Sequence, residues 1–189
     1  MARDLLGKLL VHRRRAAVTS GVIVEVEAYI GEDDPACHAA PGPTRRNEPL
    51  YGPPGFSYVY LNYGIHCLVN VVTEAEGSPA AVLIRALDPV DGVATMRRRR
   101  TRNAKGRRPG EGSVATSDLC RGPGNLTMAM GITLAENRLD LTGDRLFVDD
   151  ASVKIGGIFW GPRIGLRVGR EHPWRAWVAG HAAVSRVRP

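Results

Sequence analysis

The chain has 189 residues, 43% hydrophobic and 24% charged, enough to bury one ordinary core but hardly two, so we expect a single domain over residues 1–189. No apolar run approaches the roughly 18 residues that would span a bilayer, and Arg3, Asp4 and Lys8 put charge too early for a secretory leader, so a cytoplasmic protein without a membrane partner is expected. Lysine and arginine total 26 against 19 acids; eight of those bases fall in residues 97–108, which hold no acid, and without them the net charge drops from +7 to −1.

In chain order, residues 3–12 show helical apolar spacing and predict a helix, followed by a basic turn at 13–15. A strand follows from Val22 to Ile30. Its period of two sets Val24, Val26, Ala28 and Ile30 on one face and Glu25, Glu27 and Tyr29 on the other, so two carboxylates and a phenol lie together. Residues 39–55 carry five prolines and predict an ordered loop. Tyr58 and Tyr60 alternate with Val59 on a short strand, Asn62-Tyr63-Gly64 forms a tight turn, and residues 66–73 resume the alternation, which makes a hairpin with a tyrosine at its tip. Residues 80–87 form an apolar strand interrupted by Arg85. Asp88-Pro89 then predicts the start of a helix, with Asp as N-cap and Pro first. The arginine-rich segment continues into a polar, glycine-rich stretch, and about 97–116 is expected to be a mobile basic loop. Residues 117–130 predict a helix broken at Gly122-Pro123-Gly124 and ended by Gly131, and 145–179 predict several short strands. The expected fold is α+β, a mostly antiparallel, curved sheet flanked by helices.

The chemistry centres on Glu27 and Arg85, charged residues in strands whose neighbours are apolar. A buried charge needs a partner or a task; a structural ion pair is the plain alternative. Tyr29, Tyr60 and Tyr63 add ring faces suited to a flat, hydrogen-bonding ligand such as a nucleobase, whereas Tyr58 fits a core residue with its hydroxyl satisfied. Cys37-His38 and His66-Cys67 are adjacent soft ligands, but neighbours in a strand point to opposite faces and no CxxC or HxE spacing accompanies them, so no metal is expected. Three cysteines with no CxxC spacing support neither a disulfide framework nor a zinc site, and reduced thiols are expected. The three lysines, Lys8, Lys105 and Lys154, lie outside the apolar and aromatic segments, which leaves water as the nucleophile and no cofactor implied.

Taken together, several ordered motifs resemble the alkyladenine (3-methyladenine, methylpurine) DNA glycosylase family. They are Val22-Ile23-Val24-Glu25-Val26-Glu27-Ala28-Tyr29-Ile30-Gly31 with Asp33-Asp34-Pro35-Ala36-Cys37-His38, and Thr44-Arg45-Arg46-Asn47. Others are Gly55 to His66 with Asn70, Val82-Leu83-Ile84-Arg85-Ala86-Leu87 with Pro89 and Met96-Arg97, Leu119-Cys120-Arg121-Gly122-Pro123, and Pro162-Arg163-Ile164-Gly165. The resemblance is dense over 21–98 and looser after 131. It implies that Glu27 is the general base that activates water for attack on the sugar C1′ of a flipped nucleotide, with Arg85 and the backbone carbonyl of Ile164 holding that water. Tyr29, His38, Tyr60, Asn70 and Leu83 would form the base pocket, with Asn70 on its floor, and Tyr63 would wedge into the duplex. Arg45, Arg46, Arg97, Arg98, Arg99 and Arg100 would meet the DNA backbone. The implied activity is monofunctional excision of alkylated or deaminated purines from double-stranded DNA by a monomer, nucleoid-associated in a bacterium. Glu25 shares the Glu27 face without matching a catalytic position and is expected to be structural or secondary.

Two other readings compete. A noncatalytic DNA-binding module would account for the basic segment and the tyrosines, but has no need of an acid facing phosphate. A nucleoside hydrolase would account for Glu27, but leaves Tyr63 and the arginine-rich segment unexplained.

Overall fold

The structure, a computed structural model, describes residues 1–14, 16–102, 114–150 and 153–186. Its framework follows from β-branched and leucine-rich segments that alternate in and out of a core. β1 (Leu9–Arg14) and β2 (Ala17–Ile30) form an antiparallel hairpin, with Leu9 opposite Val22 and Arg14 opposite Ala17. β3 (Ser57–Asn62) and β4 (His66–Val72) form a second, and β5 (Ala80–Pro89) lies between β4 and β2. β6 (Leu146–Asp149) pairs with β1, while β7 (Ile158–Gly161) pairs with β8 (Arg175–Val178), which adds to the far half of β2. Every named pairing is antiparallel, giving one curled sheet in the order β3-β4-β5-β2-β1-β6, with β7 and β8 attached at β2.

The helices cover one face of the sheet. α2 (Val93–Arg102) and α4 (Pro123–Met130) pack Met96, Leu126, Ala129 and Met130 against Ile23, Val26, Val59, Val69 and Ile84. α1 (Ala2–Leu5) and α3 (Thr116–Leu119) contribute Leu5 and Leu119 to the same core. α4 starts with proline at its first position after Gly122 and stops at Gly131, whose φ of 74° is the left-handed conformation that glycine adopts without penalty. The opposite face, carrying Tyr58, Ala81 and residues further along each strand, is roofed by the proline-rich loop through Cys37, Ala39 and Leu50.

Several expectations hold: the α+β class, the antiparallel sheet, the 57–72 hairpin with Tyr63 at its turn, the late short strands, and the interrupted helix ending at Gly131. Others are corrected. Residues 9–12 are strand, not helix, and 13–14 continue that strand instead of turning, because Leu9 and Leu10 serve the pairing of β1 with both β2 and β6; the helix is confined to Ala2–Leu5. Asp88 and Pro89 end β5 rather than begin a helix, and α2 starts four residues later, at Val93. The basic segment is not a loop at its start: 97–102 lie in α2, Thr116 at its expected end opens α3, and residues 103–113 between them fall outside the described residues. Finally, Val24 and Val26 do not share a face. A β-bulge shifts the β2–β5 register on either side of Glu25, so Val24 packs with Val22 and Ala86, whereas Val26 enters the main core.

Candidate active site

The face left clear of helices carries a continuous cross-strand row. Tyr58 on β3 is opposite Asn70 on β4, Asn70 is opposite Leu83 on β5, Leu83 is opposite Glu27 on β2, and Glu27 is opposite Arg175 on β8. Directly opposed residues share a face, so five strands deliver these side chains to one surface. This explains why Arg85 could interrupt an apolar strand. Val82 and Ile84 face the core under the helices, while Leu83 and Arg85 face the opposite way, into a cavity of about 400 Å³.

Tyr29, His38, Tyr60, Asn70, Leu83, Arg85 and Ile164 all line that cavity, as do Tyr58 and, at its mouth, Tyr63. Glu27 is fully buried and is not itself a lining residue, but the three residues that hold it, Ile164, Tyr29 and Arg85, all line the cavity. Glu27 Oε1 accepts from the Ile164 backbone N–H at 2.7 Å, and its Oε2 accepts from the Tyr29 hydroxyl at 2.9 Å and from Arg85 NH1 at 3.1 Å. Three charge-assisted or backbone donors therefore hold one carboxylate in a fixed orientation. Ile164 thus has a contact that the sequence did not announce, its backbone amide donating to Glu27.

The aromatic wall is built by packing and electrostatics. His38 Nδ1 is 2.9 Å from the Tyr58 hydroxyl, and the His38 ring meets Tyr60 edge-on at 4.4 Å. Burial, aided by the nearby Arg46 cation, holds His38 below its ordinary histidine value, so the ring is neutral near pH 7. Burial pushes the Tyr58 phenol up to about 12 and raises Tyr29 and Tyr60 as well, with the Glu27 charge adding to Tyr29. All three tyrosines are therefore protonated donors. Asn70 is buried and donates to the Tyr58 carbonyl at 2.9 Å, which fixes its amide at the pocket floor.

At the mouth, Tyr63 is 88% exposed, so it has no folding role to explain its size. Its φ of 48° beside Gly64 at 69° holds it at the apex of the hairpin, with the exposed Ile65 next to it. Arg45 and Arg46 are exposed, and Arg46 lies 5.7 Å from the Tyr60 ring centre. The four consecutive arginines of α2, Arg97 to Arg100, divide. Arg97 donates to the Val114 carbonyl, Arg99 to the Ala129 carbonyl at 2.9 Å, and Arg100 to the Asp118 and Leu119 carbonyls, whereas Arg98 is exposed and reaches only to Thr95 at 3.4 Å among the bonds described.

Sequence reasoning missed the scaffold behind these groups. Arg163 is buried, forms a two-pronged pair with Asp34 at 2.5 and 2.8 Å, and places its guanidinium 4.6 Å from the Tyr29 ring centre. Burial alone would raise Asp34, but Arg163 holds its carboxyl below the usual carboxylate range. That pair locks the loop carrying Ile164 to the end of β2. Both residues stood inside matched motifs; no local signal tied one to the other across 129 positions. Among the described residues no cluster of three potential metal ligands occurs, and Cys37, Cys67 and Cys120 are unpaired.

The fold and site together are a curled antiparallel sheet whose helix-free face carries an aromatic cavity, walled in part by the groups that hold a buried carboxylate and flanked by an exposed tyrosine-tipped hairpin. The chain belongs to the methylpurine-DNA glycosylase family, whose sequence profile matches residues 1–182. Among its relatives, a protein of Rubrobacter xylanophilus is 48% identical over 94% of this chain and 86% of its own length. One from Rhodopseudomonas palustris is 46% identical over 93% of this chain and 77% of its own length, and one from Chlorobaculum tepidum 39% identical over 100% and 86%. Each bears the name "Putative 3-methyladenine DNA glycosylase".

Proposed function

We propose that this protein is a monofunctional DNA glycosylase that extrudes alkylated or deaminated purines (3-methyladenine, 7-methylguanine, ethenoadenine, hypoxanthine) from duplex DNA and hydrolyses the N-glycosidic bond with a water activated by Glu27. The observation that carries this reading is the Glu27 carboxylate, buried and held by Ile164, Tyr29 and Arg85, all three of which line an aromatic cavity. Buried unpaired, such a group would be costly; held by three donors its oxygens are satisfied and aimed, as those of a general base must be. The family and the relatives' names support the DNA and purine parts of the reading.

In this mechanism Glu27 takes a proton from water, the water oxygen bonds to C1′, and the C1′–N bond breaks with its electron pair leaving on the base. The developing positive charge on the sugar is stabilised by the Glu27 carboxylate. An alkylated purine departs without needing a proton; a neutral one must gain a proton as it leaves. Tyr29 donates its hydroxyl proton to Glu27, so it fixes the base catalyst and stacks on the extruded ring. Tyr63 fills the vacated stack, offsetting part of an unstacking cost of about a few kcal/mol. Arg45, Arg46 and Arg98 are the cations exposed for phosphate, whereas Arg97, Arg99 and Arg100 act chiefly as supports of the helical layer. Lys8 pairs with Asp150 and, among the described residues, no lysine lines the cavity, which favours hydrolysis over an imine route that would cut the strand. The protein acts as a monomer on double-stranded DNA in the cytoplasm, at the nucleoid in a bacterium, without cofactor or membrane.

A base-release assay on duplexes carrying one hypoxanthine, one ethenoadenine or methylated purines, with strand breaks read before and after alkali, tests this. Release by the wild type with breaks only after alkali is expected. Tight duplex binding with no release from any lesion would convert the protein into a binding module; release from free nucleosides alone would make it a nucleoside hydrolase.

A further inference from the structure

The site face holds more buried charge than the Glu27 chemistry uses. Glu25 is also fully buried. Its Oε1 accepts from Arg85 Nε at 3.2 Å and from Arg175 NH1 at 3.0 Å, and its Oε2 accepts from the Ser185 backbone N–H at 2.8 Å. Since Arg85 NH1 is 3.1 Å from Glu27 Oε2, the charges alternate: Glu27, Arg85, Glu25, Arg175. Arg175 Nε donates in turn to the Pro162 carbonyl at 3.1 Å, two residues before the Ile164 amide that reaches Glu27. Glu25 thus grips the arginine on one side of Glu27 and, through Arg175, the loop on the other. The β-bulge serves this arrangement. Glu25 pairs with Ala86 and Val26 with Ile84, so the ladder passes over Arg85 and frees its side chain to lie between the two carboxylates.

A guanidinium facing one carboxylate closes on it as a two-pronged fork. Such a fork on Glu27 would occupy both carboxylate oxygens. In the structure Oε2 has the Tyr29 and Arg85 donors, while among the described residues Oε1 accepts only from Ile164, which leaves it lone-pair capacity to accept a proton from water. We propose that Glu25 is a positioning residue that divides Arg85 between two carboxylates, so that Arg85 orients Glu27 through one N–H instead of capping it. This rests on Glu27 as the base.

Single-turnover base release, on whichever lesion duplex the wild type opens fastest, tests it with E25Q, R175K and the charge-balanced double variant E25Q/R175M, each with lesion-duplex Kd measured alongside. For E25Q we expect release to fall about 10- to 100-fold, the size of effect produced by misplacing a reacting group, with Kd within about threefold. Around Glu27 stand Tyr29, Tyr60, Arg85, Arg163 and Arg175, with Glu25 behind them. Removing the Glu25 charge leaves the arginines less opposed and makes protonation of Glu27 harder, so the acid limb of the rate profile moves to lower pH in E25Q. The limb returns toward the wild-type position in the double variant, with the rate loss remaining, and R175K shows a smaller loss. Wild-type rates in a folded E25Q or E25Q/R175M, a lower rate with an unmoved acid limb in E25Q, or failure of all three to fold each overturns the proposal. A wild type that releases no base sinks the proposed function instead, so the two failures are distinct.

Discussion

Two buried charge clusters, one at each end of β1–β2, obey the same electrostatics and differ in what they open onto. At the site end, Glu27 is held by Ile164, Tyr29 and Arg85 beside a cavity. At the other end, Glu136 is equally buried; it accepts from the Thr133 backbone N–H at 2.7 Å and from Arg145, and lies 3.6 Å from His12. There the carboxylate closes a capping box on the short 134–136 turn, none of its partners Thr133, Arg145 and His12 lines the site cavity, and His12 Nδ1 is 3.0 Å from the Met130 carbonyl, at the end of α4. Burial and hydrogen bonding alone do not separate the two acids; what sets Glu27 apart is that the groups holding it line a cavity. The comparison breaks if both acids prove to matter for the same quantity.

The largest expected effect is on Glu27. E27Q keeps shape and most hydrogen bonding but loses the base, so release should fall about 10²- to 10⁴-fold with lesion-duplex binding kept. Next comes Tyr63. Its exposure means that Y63A leaves Tm unchanged, but loss of a stacking wedge of about 1–3 kcal/mol should weaken lesion binding about 10-fold or more. A fall in Tm with unaltered binding would return Tyr63 to the fold. E136Q is the counterpart of E27Q: it should destabilise by about 1–3 kcal/mol in a urea titration, because Thr133 and Arg145 lose their charged acceptor, and leave release per folded molecule unchanged.

How much of this stood in the sequence depends on the range of the signal. The period of two over 22–30 placed Glu27 and Tyr29 together, and Asn62-Tyr63-Gly64 placed the hairpin tip, because alternation and turn chemistry are local. Arg85 was visible as a charge in an apolar strand. The bulge at Glu25 was not, since an extra residue in one strand is defined only against its partner. Nor were Arg163 and Arg175, whose partners lie 129 and 150 residues away. Residues 9–12 misled because leucines at 5, 6, 9 and 10 fit a helix period while the β-pairing decided the outcome. The run of arginines in α2 concealed a helix: its apolar contribution is Met96, and three of its arginines bond to backbone carbonyls of neighbouring segments.

The histidines sharpen the contrast in pH. Burial lowers both His12, at the structural end, and His38, in the pocket. A histidine depressed in the fold keeps its neutral form while the unfolded chain takes up a proton near its ordinary value of 6.5, so stability is full above that pH and declines as pH falls below it. H12Q and H38Q should each flatten the stability slope between about pH 5 and 6.5 in denaturant titrations. Only H38Q should also change base release, since only His38 lines the cavity. An unchanged slope in H12Q would mean that its proton is accommodated by Glu136, 3.6 Å away.

The smallest expected effects separate arginines that adjoin one another in α2. Arg98 is exposed, with only a long contact to Thr95, so R98Q should leave Tm unchanged and reduce the salt dependence of DNA binding by the ~0.9 logarithmic slope of one phosphate contact. Arg99 donates to the Ala129 carbonyl near the end of α4, where a cation also offsets the helix dipole. R99Q should therefore lower Tm with little change in that slope. If R99Q instead flattened the slope and R98Q did not, the cation facing phosphate would be the one that the fold already holds, and the division between binding and supporting arginines would have to be reversed.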